Sequence, residues 1–124
     1  IMSTDQVRRN RLFQASIVVI LILILTPSSG RFSINYLDKL VHFGLFLTLS
    51  INASYKYQSY EGKMEVTLWI IFSGLITEVI QQYIPGRDMD IYDGIANTLG
   101  VISGYYIYKM NQLKLDKLIA KLGA

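Results

Sequence analysis

The chain has 124 residues, of which 52% are apolar and only 17% are Asp, Glu, Lys or Arg, against roughly 25% charged in an ordinary soluble domain. That length excludes a two-domain enzyme, and the absence of cysteine excludes a disulfide-stapled module. A net charge of +3, with basic residues at segment ends and not on one aromatic-interleaved face, argues against a nucleic-acid partner.

Charge spacing points to a bilayer. Uncharged runs of 19, 16, 12 and 15 residues separate Arg11 from Arg31, Lys39 from Lys56, Glu65 from Glu78, and Asp93 from Lys109. A helix needs about 20 mostly apolar residues to cross a ~30 Å hydrocarbon core. The first candidate span, about 9–26, contains LFQASIVVILILIL and stops at Pro27, Ser28, Ser29 and Gly30, a breaker cluster. A signal sequence has a similar layout, with RRNR as its basic end; the segment is read as a permanent span. The second span, about 37–57, carries Asp38 and His42. The third, about 64–84, carries Glu78, Gln81 and Gln82, and the fourth, about 91–110, carries Asp93 and Asn97. Each of these polar residues is expected to face water, a neighbouring helix or the protein interior, because desolvation against lipid costs several kcal/mol. The tail, NQLKLDKLIAKLG, sets Leu115, Leu118, Ile119 and Leu122 mostly opposite Lys114, Lys117 and Lys121. This is the pattern of an amphipathic interfacial helix on an anionic leaflet, the alternative being a solvated continuation of the fourth helix.

With four spans, nine Lys and Arg fall on the side of the N-terminus, the second loop and the tail, against Arg31, Lys39 and Arg87 on the other. Both termini are therefore expected in the cytoplasm. The whole chain, 1–124, reads as a single all-α domain, an integral membrane four-helix bundle with short loops and a C-terminal amphipathic helix.

This orientation gathers the unusual polar residues on the outer side. Asp38 and His42, Glu78 and Gln82, and Asp93 and Asn97 are i,i+4 pairs, so each pair shares one helix face. The loop of Pro85, Gly86, Arg87, Asp88, Met89 and Asp90 would roof the pocket they form. Ala96, Gly100 and Gly104 make a small-xxx-small series on the fourth helix, and positions 93, 97, 100 and 104 advance as an interhelical seam. Asp38, His42, Leu45, Leu49 and Asn52 have the same rhythm on the second.

His42 is the candidate general acid or base, since its unperturbed pKa lies near neutrality; the plainer role is a bundle histidine holding Asp38 or Glu78. Arg87 after a Pro-Gly turn suits bidentate capture of a phosphate or carboxylate, or simply pairs with Asp88 or Asp90. Glu78, Asp90, Asp93 and His42 could ligate a metal, but no HxxxH or HxxE spacing fixes such geometry. No metal or cofactor is expected. Asn52-Ala53-Ser54 matches a glycosylation triplet inside a span and is set aside, and the nine tyrosines and Trp69 read mostly as interface or core residues.

DKLVHFGLF followed by EVIQQYIPGRDMDIYDGIANTLGVISG resembles the VanZ-like family of small membrane proteins. Asp38, Lys39, His42, Phe43, Glu78, Gln82, Gly86, Arg87, Asp90, Asp93, Asn97, Gly100 and Gly104 carry the resemblance, which covers 38–104. It implies a four-span helical protein of a bacterial cytoplasmic membrane, linked in the founding member to teicoplanin susceptibility by no established mechanism. Some relatives carry a phosphotransbutyrylase label, but no Gly-rich phosphate loop or nucleophile elbow is present here.

The leading expectation is an outer pocket that binds or modifies an anionic lipid or lipid-linked envelope precursor. Asp38, Lys39, Gln82, Arg87, Asp90 and Asn97 would bind it, and His42, Glu78 and Asp93 would carry any proton transfer or hydrolysis. The competing expectation is a structural or adaptor subunit whose polar cluster only holds the helices together. A transporter ranks below both, because no inverted repeat is visible. The lipid-facing surface of four short helices makes a homodimer an open alternative.

Overall fold

The computed structural model describes residues 3–25, 35–84 and 91–122, and of residues 24, 25 and 35–38 the backbone alone. The chain forms α1 (Thr4–Leu25), α2 (Asn35–Lys56), α3 (Tyr60–Gln81), α4 (Ile91–Met110) and α5 (Gln112–Leu122), with no strand among the described residues. The expected all-α class is what the structure has.

Local chemistry sets the helix starts. Ser3 Oγ accepts the Gln6 N–H at 3.1 Å while the Gln6 side-chain oxygen accepts the Ser3 N–H at 3.2 Å. This reciprocal cap satisfies two donors at the helix entrance and starts α1 more than a turn before the apolar run. Ser59 does the same work for α3: extended at φ −72°, it accepts the Gly62 N–H at 3.1 Å. Between α4 and α5 only Asn111 intervenes, and the Leu115 N–H reaches its carbonyl at 2.9 Å.

Packing centres on α2, which lies between α4 and α1 and makes its most extensive contact with α4. Gly100 and Gly104 are the reason. A Cβ at Gly100 would overlap the Phe43 carbonyl oxygen, and one at Gly104 would lie 2.7 Å from that of Leu47. Only glycine lets the two backbones approach this closely, as the small-residue series implied. Ser50 Oγ then donates to the Val101 carbonyl at 2.7 Å across the same seam. The α2 seam is broader than its sequence rhythm suggested. His42, Phe46, Leu49, Ser50 and Ala53 are buried, whereas Leu45 and Asn52 are partly buried, and Asn52 bonds Ser16 Oγ of α1 at 2.5 Å. A central helix needs two faces, and a single stripe describes only one.

Among the described residues, α3 alone is long and apolar enough by itself to cross a membrane. Asp5, Arg8, Arg9 and Arg11 dilute α1, and the polar seam and tyrosines dilute α2 and α4. Ile20, Phe46, Leu49, Ala53, Ile70 and Val101 form a buried apolar cluster, yet large apolar side chains also lie outside and polar ones inside. Val18, Ile22, Leu68, Trp69, Phe72, Leu75, Leu99 and Tyr106 are exposed, while His42, Glu78, Gln81, Asp93 and Asn97 are buried.

Candidate functional site

The buried polar residues meet where the first turns of α2 and α4 adjoin the last turns of α3. His42 is 4% exposed, Glu78 3% and Asp93 5%. Lys39 Nζ lies 2.7 Å from Asp93 Oδ1, and the other Asp93 oxygen lies 3.5 Å from His42 Nε2. His42 Nδ1 lies 2.9 Å from Asn97 Oδ1, and Asn97 Nδ2 donates to the Gly74 carbonyl at 3.4 Å. The second bond orients the amide: with its NH2 toward a carbonyl, its oxygen faces the imidazole. Nδ1 therefore carries the proton and Nε2 is the atom turned toward Asp93.

Gly74 is closely enclosed by the surrounding groups, whereas Gly94 has room for ordinary contact. A Cβ at Gly74 would come within 3.2 Å of Phe46 and 3.3 Å of the Asn97 Cβ, and one at Gly94 within 3.5 Å of the Glu78 Cγ. His42, Glu78 and Asp93 each present a ligand-type atom within 4.8 Å of the other two. Three helices thus converge on one site, although no two of these residues share a metal-binding spacing in sequence.

Five of the expected site residues, Lys39, His42, Glu78, Asp93 and Asn97, come together. Gln82 does not join them. It is exposed at the end of α3, and Gln81 is buried in its place. The buried line of α3 includes Thr67, Gly74 and Gln81; these are seven apart, the period of a supercoiled seam, which rotates Gln82 away. The heptad marks Gln81 in the sequence, whereas i,i+4 spacing from Glu78 points to Gln82. The Asp38 side chain, and Arg87 and Asp90 with the whole 85–90 loop, lie outside the described residues.

A second polar cluster, at the opposite end, was not anticipated. Asp5 accepts from Arg9 Nε at 2.7 Å and from the Tyr55 hydroxyl at 3.0 Å, and the Arg9 guanidinium stacks 4.0 Å above the Tyr55 ring. The buried Tyr108 hydroxyl donates to Asp116 of α5 at 2.5 Å and accepts from Gln58 at 3.1 Å, while Gln112 donates to Gln58 at 3.0 Å. Tyrosine count alone hides such roles, because a buried Tyr differs from an interfacial one only in where its hydroxyl ends.

Residues 3–113 match the family model described as VanZ/LLP1. The chain belongs to the VanZ/LLP1 family. The match extends beyond the 38–104 segment that carried the resemblance and takes in α1 and the whole of α4. VanZ proteins are membrane proteins, and the apolar α3 agrees with that. No curated protein and no solved structure matches the chain.

Proposed function

We propose that this VanZ-family chain crosses a bacterial cytoplasmic membrane four times, with both termini inside, and that its outer polar pocket holds the anionic head of a lipid or lipid-linked envelope precursor. The observation that carries this reading is the chain from partly exposed Lys39 through buried Asp93 and His42 to Asn97. Ionisable groups placed at membrane depth are costly and usually mark function. The Lys/Arg distribution supports an outer position for this end, and α5 would lie on the inner leaflet.

An apolar groove supports a lipid. Phe13, Ile17 and Leu21 of α1, Phe46 and Leu49 of α2, and Val66, Trp69 and Ile70 of α3 line it, together with Ser73 and Thr77, five residues and one residue before Glu78 in sequence. An acyl chain lying there would bring its head to the polar cluster. In a metal-free catalytic version, His42 Nε2 takes or gives a proton at the bound head, Asn97 fixes the ring, and Glu78 and Asp93 position the reacting group; with a cation on Nε2 this proton transfer is replaced by the metal's own polarisation of the head.

The test is lipoglycopeptide susceptibility, teicoplanin included, of a sensitive host expressing wild type, His42→Ala or Arg87→Gln, with membrane abundance and Tm measured for each. Loss of protection by abundant, folded variants supports the pocket. Protection equal to wild type, or loss explained by melting, favours the structural or adaptor reading. That second reading draws on the mutual bonding of Lys39 with Asp93 and His42 with Asn97, which would tie α2 to α4 with no ligand at all.

A further inference from the structure

We propose that His42, Glu78 and Asp93 form a site for one divalent transition-metal cation, of the Zn2+ or Mn2+ class. The three side chains come from α2, α3 and α4, are all buried, and place their ligand-type atoms within 4.8 Å of one another. The 3.5 Å between His42 Nε2 and Asp93 Oδ2 compares with ~3.4 Å for the edge of a tetrahedron with ligand bonds of about 2.1 Å.

The imidazole is prepared for this role. A metal-bound histidine normally donates its other ring N–H to a fixed acceptor, which sets the tautomer and the ring plane. Asn97 is that acceptor at 2.9 Å, and its own amide is held by the Gly74 carbonyl. Nε2 is the ring atom turned toward Asp93 Oδ2, 3.5 Å away, a separation that a cation bound to both would keep. Lys39 occupies the other oxygen of Asp93, so that carboxylate is turned to offer Oδ2 as a single-oxygen ligand.

One nitrogen and two carboxylate oxygens favour Zn2+ or Mn2+ over Mg2+ or Ca2+, which prefer all-oxygen shells. Three protein ligands leave a position open, as in catalytic metal sites, and a phosphate or carboxylate oxygen of the proposed headgroup would fill it. Only this last step rests on the headgroup reading. Cation binding itself is measurable without lipid.

The experiment uses the full chain purified in detergent, stripped with EDTA, dialysed, and loaded with ZnCl2 or MnCl2. We expect one metal per chain by elemental analysis, a rise in Tm on loading, and little response to MgCl2. His42→Ala, Glu78→Gln and Asp93→Asn should each weaken binding by more than about tenfold, and Asn97→Ala by roughly 10–100-fold, as for loss of an orienting partner. Glu65→Gln, an exposed carboxylate at the far end of α3, should bind like wild type. Where a variant fails to fold, the Mn2+ electron paramagnetic resonance spectrum of wild type decides, because a bound imidazole shows nitrogen coupling. No stoichiometric uptake, no Tm shift, or bound Mn2+ without nitrogen coupling overturns the site. Anionic phospholipid vesicles, titrated separately, distinguish the failures: vesicle binding without metal refutes the cation alone, and metal binding without vesicle affinity refutes the headgroup reading alone.

Discussion

His42 and Asn97, 55 residues apart in sequence, face each other at 2.9 Å and join α2 to α4 by a buried side-chain hydrogen bond. Removing the acceptor deprives the buried imidazole N–H of this partner. A buried donor left unsatisfied costs about 1–3 kcal/mol, so Asn97→Ala should lower the Tm clearly. A double-mutant cycle isolates the contact: His42→Ala should cost less in the Asn97→Ala background than in wild type. Additive losses would mean that the two residues act independently.

Backbone proximity gives a sharper contrast. At Gly100 an added Cβ would overlap the Phe43 carbonyl oxygen and lie 3.1 Å from the Leu47 nitrogen, whereas at Gly44 nothing lies within 4 Å. Gly100→Ala should therefore force α2 and α4 apart and reduce both Tm and membrane abundance. Gly44→Ala has only the intrinsic helix preference to respond to, worth up to about 1 kcal/mol in its favour. Thermal melts of both variants in the same detergent check this, and equal behaviour would refute the close packing of the seam.

Much of this architecture is legible in the residues, and the exceptions have physical causes. Uncharged runs locate α1 to α4 because desolvated charge is costly, and the 93, 97, 100 and 104 stripe appears as buried positions because close packing requires small or bonded side chains there. Helix ends are harder to read. The Ser3 and Ser59 caps lengthen α1 and α3 at their starts by bonds to which hydropathy is blind. Gln81 against Gln82 turns on a rotation set by the neighbouring helices, which an isolated periodicity leaves open. The convergence of His42, Glu78 and Asp93 depends on how three helices dock, and none of them encodes that alone.

The proposed orientation is open to direct labelling, since the chain has no cysteine of its own. Tyr83, 79% exposed just beyond α3, would lie outside, and Lys117 of α5 would lie inside. Single variants Tyr83→Cys and Lys117→Cys, treated in intact cells with a membrane-impermeant maleimide, should label at position 83 only. Permeabilised cells should label both. The reverse pattern would place the polar pocket on the cytoplasmic side and remove an extracytoplasmic headgroup as its ligand.

At the end opposite the polar pocket, Asp5 supplies a pH test of how α1 is anchored. The hydrogen bond from Arg9 holds its carboxyl below the usual value of 3.8, with the Tyr55 hydroxyl adding to the effect. A carboxylate depressed on folding contributes stability that is complete above its unfolded value and is lost as pH falls through its folded one. The contribution of Asp5 should thus persist at neutral pH and disappear only below 3.8. Because the side chain is half exposed, solvent screening limits it to about 1 kcal/mol. Asp5→Asn should melt slightly lower than wild type at pH 7, and the difference should close in strongly acidic buffer. Tm curves of the two proteins from neutral to acid pH make the comparison, and a gap that stayed constant across the range would show that the Asp5–Arg9 pair contributes packing and not charge.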